Sequence, residues 1–255
     1  MNLPWPNPSL ELRSPWMNAA GSLGFTPDPH GPVSLEGLAA FVTNPISLRP
    51  RKAASPPRML SFPGGVLLHT GHPNPGLRAA IKQYASSWAR ATLPVILHLL
   101  SDDAKSLRQA MPRLEELENV LAIELGLENE IRAAEAADLV RAASGELPII
   151  VQVPLHSPLE FSEQLIEAGA AAISLAPPRG ALRGQNGKAV NGRLYGPAVF
   201  PQALAAVSRL IAGGFQIIAA GGVDTKAQGE AMLAAGAMAV QIDVALWKGN
   251  WQTGA

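Results

Sequence analysis

Two adjacent glycines, Gly221 and Gly222, sit where an apolar run gives way to a helical one; residues 216–225 read Gln-Ile-Ile-Ala-Ala-Gly-Gly-Val-Asp-Thr. Glycine lets a backbone turn tightly and approach a ligand closely, and the free amides at a helix start favour an anion. Asp224 or Thr225 can cap the helix that follows. The chemistry on offer is phosphate or carboxylate binding; the plainer alternative is a turn that only joins strand to helix. A second group is His69, His98 and His156 near predicted strand ends, with Glu124 and Asp243. Imidazoles and carboxylates could hold zinc. No His-x-His or His-Glu-x-x-His spacing occurs, however, and alternation along its strand would turn His98 outward, so no metal is expected. Third, residues 176–197 hold Arg179, Arg183, Lys188 and Arg193 without an acid. Such a loop could close on an anionic ligand or simply be solvated. There is no cysteine, which excludes disulfides and thiolate nucleophiles.

The elements that would position these groups alternate regularly. Short apolar runs at 15–21, 39–43, 94–99, 121–125, 149–153, 171–175, 216–220 and 239–243 read as strands. Most are apolar on both faces, as parallel strands covered by helices are. Helical patterns fall at 77–91, from Asp102 or Asp103 to about Pro112, at 131–143, 159–168 and 201–211, and after Thr225. Gly169 suits the position just past a helix end. The chain has 255 residues, 47% of them hydrophobic, which suits a single α/β domain over 1–255, a TIM (β/α)8 barrel. Residues 1–15 carry four prolines and read as an extended lead-in. Residues 44–76 read as a long irregular loop. Only a dozen residues follow the last strand, so the eighth helix is truncated or missing and its face needs other cover, such as a partner subunit.

Twenty basic residues balance twenty acidic ones, so neither nucleic acid nor an anionic membrane is expected as a partner. The N-terminus lacks the basic start and apolar core of a signal peptide, and no apolar run is long enough to span a bilayer. A soluble, cytoplasmic protein is expected.

Several segments, taken in order, resemble the dihydroorotate dehydrogenase family of FMN-dependent TIM barrels. They are Met-Asn-Ala-Ala-Gly at 17–21, Phe-Val-Thr-Asn-Pro-Ile-Ser-Leu-Arg-Pro-Arg at 41–51, Pro-Pro-Arg at 56–58, Gly-His-Pro-Asn-Pro-Gly at 71–76 and Tyr-Gly-Pro-Ala at 195–198, followed by the Gly-Gly turn. The resemblance implies oxidation of a CH–CH bond in a small, pyrimidine-type substrate. It puts FMN against Ala20, Gly21, Thr43, Asn44, Gln152, Gly196, Gly221, Gly222 and Asp243, and substrate against His69 and Asn74. The family's catalytic base falls at Asn129, flanked by Glu128 and Glu130, either of which could act as the base.

Many working positions carry other residue types. The family's two flavin lysines are matched by Asn44 and Gln152, a substrate asparagine by His69, a fourth-strand asparagine by Gly126, and an asparagine after the sixth strand by Pro177. A glycine beside the flavin phosphate is matched by Asp243, whose charge there implies weak or absent FMN binding. The alternative function is a divergent barrel without FMN catalysis, binding an anion or metabolite or serving as a partner subunit. Because of the missing last helix, a homodimer or hetero-complex is expected.

Overall fold

The computed structural model describes residues 10–101, 103–127, 131–185, 187–249 and 251. In chain order the strands and helices are β1 (Trp16–Asn18), β2 (Phe41–Val42), β3 (Ile46–Ser47), β4 (Met59–Phe62), β5 (Gly65–Leu68), α1 (Leu77–Ala89), β6 (Val95–Leu100), α2 (Ala104–Glu115), β7 (Val120–Gly126) and α3 (Ala133–Ala143). They continue with β8 (Ile149–Pro154), α4 (Leu159–Glu167), β9 (Ala172–Ala176), β10 (Arg179–Arg183), β11 (Ala189–Tyr195), α5 (Phe200–Ala212), β12 (Ile217–Ala220), α6 (Lys226–Ala234), β13 (Ala239–Ile242) and α7 (Val244–Trp247).

Eight of these strands pair in parallel in the order β1-β13-β12-β9-β8-β7-β6-β2, with β3 continuing along β6. A parallel bridge between Met17 and Ala40 brings the two ends of that order together. The result is the expected TIM barrel. Parallel neighbours need a crossover, and the helices supply it, each burying an apolar stripe against the outside of the sheet. α5 shows the pattern, with Ala203, Ala206, Val207 and Leu210 buried at helical spacing. Local signals set the helix ends. Asp103 caps α2 by accepting from the Lys105 amide. Thr225 and Gln228 form a reciprocal capping box on α6. Gly169, at φ 113°, follows α4.

Inside the barrel lies a small apolar layer made of Met17, Val42, Ile96, Ala122, Ile150, Ala172, Ile218 and Ala239, all at 0% exposure. Side chains two residues apart share a face of a strand, so the next inward layer toward the C-terminal mouth is His98, Glu124, Gln152, Ser174, Ala220 and Gln241. That layer is polar, and it is the floor of the candidate site.

The two long loops expected from the sequence are irregular only in part. Residues 59–62 and 65–68 form a hairpin, residues 179–183 and 189–195 form another, and they join in an antiparallel sheet of order β10-β11-β5-β4. Strand pairing across the mouth overrides the Pro- and Gly-rich composition that suggests loop. At the other end of the chain, α7 is a single turn. The cover expected from a partner comes in part from the chain itself. Trp251 is 8% exposed and packs edge-on against Trp16 with ring centroids 5.0 Å apart.

Candidate active site

Glu124 anchors the polar layer. It is 0% exposed, and all of its hydrogen bonds come from other strands. Ser174 Oγ donates to Oε1 at 2.6 Å, Gln241 Nε2 donates to the same oxygen at 2.7 Å, and His98 Nδ1 lies 2.7 Å from Oε2. Removing a carboxylate from water costs several kcal/mol unless partners replace its hydration. Burial pushes the Glu124 carboxyl up, but the hydrogen bond and charge of His98, joined by Ser174 and Gln241, outweigh it and hold the group below its ordinary range. His98 therefore points inward, not outward. Its register partner is Glu124, and it stands two residues beyond Ile96 of the inner layer. Its amide donates to Thr43 Oγ1 at 3.0 Å. Gly126 makes room for the ring, because a Cβ there would run into His98 Nε2.

Above this floor is a cavity of about 20 Å³, lined by His98, Gln152, Gln241, Tyr195, His72 and Asp243 among others. That is room for a water. Gln241 Oε1 is buried there without a hydrogen-bond partner. A larger pocket of about 270 Å³ adjoins it and shares Ala20, Pro45, His72, Arg193 and Tyr195 with it. Its remaining wall includes Gly21, Arg51, His69, Arg179 and Asn191.

The potential in this region is positive. Burial, then Arg193, His98, Arg51 and Arg179, lower His72 to about 3, so it is neutral near pH 7. Burial pushes the Tyr195 phenol up to about 12, against the pull of Arg193 and with the help of Asp243.

Asp243 ends β13 and accepts a hydrogen bond from the Val244 amide, capping α7 with its own carboxylate. It is 9% exposed. Burial raises it to about 6, with the Val244 amide opposing and Asp224 adding.

The structure brings together some of the sequence candidates. Ala20, Gly21 and His69 line the larger pocket, while Gln152, Gly221 and Asp243 line the small cavity. Others are engaged elsewhere. Asn44 Oδ1 accepts from the Gly24 amide at 3.1 Å, tying down the loop after β1. Asn74 holds its own loop, accepting from the Ser47 and Gly76 amides and donating to Ser47 Oγ and the His72 carbonyl. Gly222, at φ 72°, is packed so closely that a Cβ would collide with the Phe200 amide nitrogen, and Gly196 lies in the same contact. Glu128, Asn129 and Glu130 lie outside the described residues. Of the basic stretch, Arg179 and Arg193 reach the pocket while Arg183 and Lys188 are exposed. His156 is exposed, and among the described residues no group of three or more histidines, aspartates or glutamates is placed to hold a metal ion. The sequence reading gives no role to Ser174, Gln241 or His72. Counting by twos from the apolar layer would have found the first two.

The family model for dihydroorotate dehydrogenase matches residues 6–150, more than half of the chain. The chain belongs to the dihydroorotate dehydrogenase family. A dihydroorotate dehydrogenase B (NAD(+)) catalytic subunit from Pelobacter propionicus is 30% identical, over 92% of this chain and 84% of its own length. One of the same description from Desulforudis audaxviator is 29% identical over the same shares. The crystal structure of a dihydroorotate dehydrogenase from Eimeria tenella, solved with ferulenol, superposes with a TM-score of 0.71 at 15% identity, covering 96% of this chain and 82% of that one. That likeness shows the shared barrel.

The cofactor that this family implies is FMN, and the residues present disfavour it. The cavity of about 20 Å³ between Gln152, Gln241, Gly221 and Tyr195 is by itself too small for a flavin ring, which would need the adjoining pocket as well. Where the phosphate would meet backbone amides, the Asp243 carboxylate already takes the Val244 amide. The glycine of the neighbouring turn is filled from behind by Phe200 and Gly196, so its missing side chain leaves no cradle. Among the described residues no helix is long and apolar enough to cross a membrane.

Proposed function

We propose that this chain is a cytoplasmic oxidoreductase of the dihydroorotate dehydrogenase type, acting on a CH–CH bond of a small pyrimidine-type ring acid and working as a homodimer or as one subunit of a hetero-complex. The observation that carries this reading is the pocket of about 270 Å³ at the C-terminal mouth of a barrel of this family. Barrel enzymes place their chemistry at that face. The volume suits a small ring, and Arg51, Arg179 and Arg193 in its wall suit a carboxylate. Relatives named as catalytic subunits of dihydroorotate dehydrogenase B match the chain over 92% of its length, which supports both the reaction class and the partner.

The test is to offer dihydroorotate to the purified protein with NAD+ or a quinone as acceptor, with and without added FMN, and to follow the conjugated ring product by ultraviolet absorption. Because Asp243 opposes a phosphate, turnover is expected only with FMN in excess. Asp243→Gly should bind FMN more tightly in a fluorescence titration at fixed salt. Two unit charges ~4 Å apart repel by ~4 kcal/mol at an effective dielectric of ~20, so the gain could reach hundreds-fold. Tight native binding that Asp243→Gly weakens would misplace the phosphate site. Absence of both dihydroorotate binding and oxidation, at any FMN concentration, would sink the proposed reaction.

A further inference from the structure

The His98–Glu124 pair is more elaborate than a cross-link between strands requires. Glu124 is fixed by three donors from β6, β9 and β13. Its contact with Nδ1 leaves Nε2 as the outer nitrogen of the ring. Among the described residues Nε2 has no hydrogen-bond partner, and the ring borders the cavity of about 20 Å³. The Nε2 edge of the ring is admitted by the missing side chain of Gly126. The cavity is lined by the polar side chains of His98, Gln152, Gln241 and Tyr195, and its volume suits one water. The cavity meets the larger pocket at His72, Arg193 and Tyr195.

We propose that His98, oriented by Glu124, is the proton acceptor for the ring substrate, reached through one water held in the small cavity. This rests on reading the larger pocket as the substrate site. A C–H proton next to a ring carbonyl passes to the water as one of the water's own protons passes to Nε2. The C–H electron pair stays on carbon, shared with the carbonyl. His98 becomes an imidazolium against the Glu124 carboxylate, and the water is restored. The step is redox-neutral and precedes any loss of hydride. Glu124 is a positioning residue. The other charged or titratable groups facing the cavity are His72 from the loop after β5, Arg193 and Tyr195 from β11, and Asp243 at the end of β13.

Two measurements on the full-length protein test the relay. In 15N-histidine NMR of the native protein, the resonance that His98→Gln removes should show a protonated Nδ1 and a bare Nε2 near neutral pH. A ring protonated at Nε2 overturns the proposal. The second measurement follows exchange of the dihydroorotate ring proton with deuterium oxide by proton NMR, without an electron acceptor. Native protein should accelerate it, and His98→Gln should slow it by ~10² or more. No native exchange, or exchange that survives His98→Gln, overturns the relay. Oxidation that continues unchanged in His98→Gln removes the relay and leaves the proposed function standing. A native protein that neither binds nor oxidises dihydroorotate removes both.

Discussion

Asp243 shows how one side chain can be read from sequence in kind and only from structure in consequence. Its place at a strand end near the Gly221–Gly222 turn is visible in the sequence; its burial and its cap on α7 are not. Its carboxyl is raised from 3.8 to about 6, first by burial and then by Asp224. A folded-state value above the unfolded one means that the stabilising contribution is complete below about 4 and lost as pH rises through about 6. Asp243→Asn keeps an oxygen for the Val244 amide and removes the charge. At pH 8 it should be more stable than the native protein by up to roughly 3 kcal/mol, a shift of about two units at 1.36 kcal/mol each; at about pH 3, below the unfolded value, the two should be nearly equal. Urea unfolding at both values checks this, and equal stability at pH 8 would mean that the buried carboxylate costs nothing. His98 and Gly126 teach a related lesson. Each is legible alone as an odd residue at a strand end. That one fills the space the other leaves emerges only from the β6–β7 register, which no single strand encodes.

At the scale of elements, the barrel strands and their helices were legible because each carries its own period and its own stop signals. The sheet over the mouth was partly legible. Pro63-Gly64 is a turn signal between two apolar runs, and Arg-Gly-Ala-Leu-Arg at 179–183 alternates as a half-exposed strand does. What local pattern cannot supply is the pairing of β5 with β11. α6 gives a testable case of packing overriding propensity. Gly229 lies inside that helix, where alanine ordinarily gains up to about 1 kcal/mol. Here a Cβ would stand 2.7 Å from the Trp16 ring and 2.8 Å from the Trp251 ring. Gly229→Ala should therefore destabilise by roughly 1–3 kcal/mol; a variant with a raised midpoint in thermal unfolding would show that the two indoles can move aside.

For the whole molecule, the case for a partner changes in kind. Trp16 and Trp251 cover part of the flank that a full eighth helix would cover. Among the described residues, the large hydrophobic side chains left exposed are Met59 at 63% and Trp247 at 57%. Met59 sits on β4, an edge strand of the mouth sheet, and Trp247 ends α7 beside the mouth, its indole donating to the Ser22 carbonyl. A homodimer or hetero-complex is expected to use that side of the barrel. Light scattering at micromolar concentration should give more than one chain's mass, alone or with the partner, and Met59→Glu or Trp247→Glu should lower it. A clean monomer that captures no second subunit would count against the assembly.

The mouth sheet joins segments on the order of a hundred residues apart, through three register pairs between β5 and β11. It rests on a small number of partly exposed pairs, whereas β6, β7 and β8 pair with near neighbours in the chain and are mostly buried. The sheet should thus behave as a separate foldon that assembles last and opens first. Amide hydrogen exchange is expected to be orders of magnitude faster at Val66–Leu68 and Arg193–Tyr195 than at Ile96–Leu99 and Ile123–Leu125. Equal protection would mean that the cap and barrel melt as one unit. If the cap does open alone, Tyr195 and Arg193 leave the small cavity with it, and the polar floor meets solvent at a frequency set by this local equilibrium while the barrel stays intact.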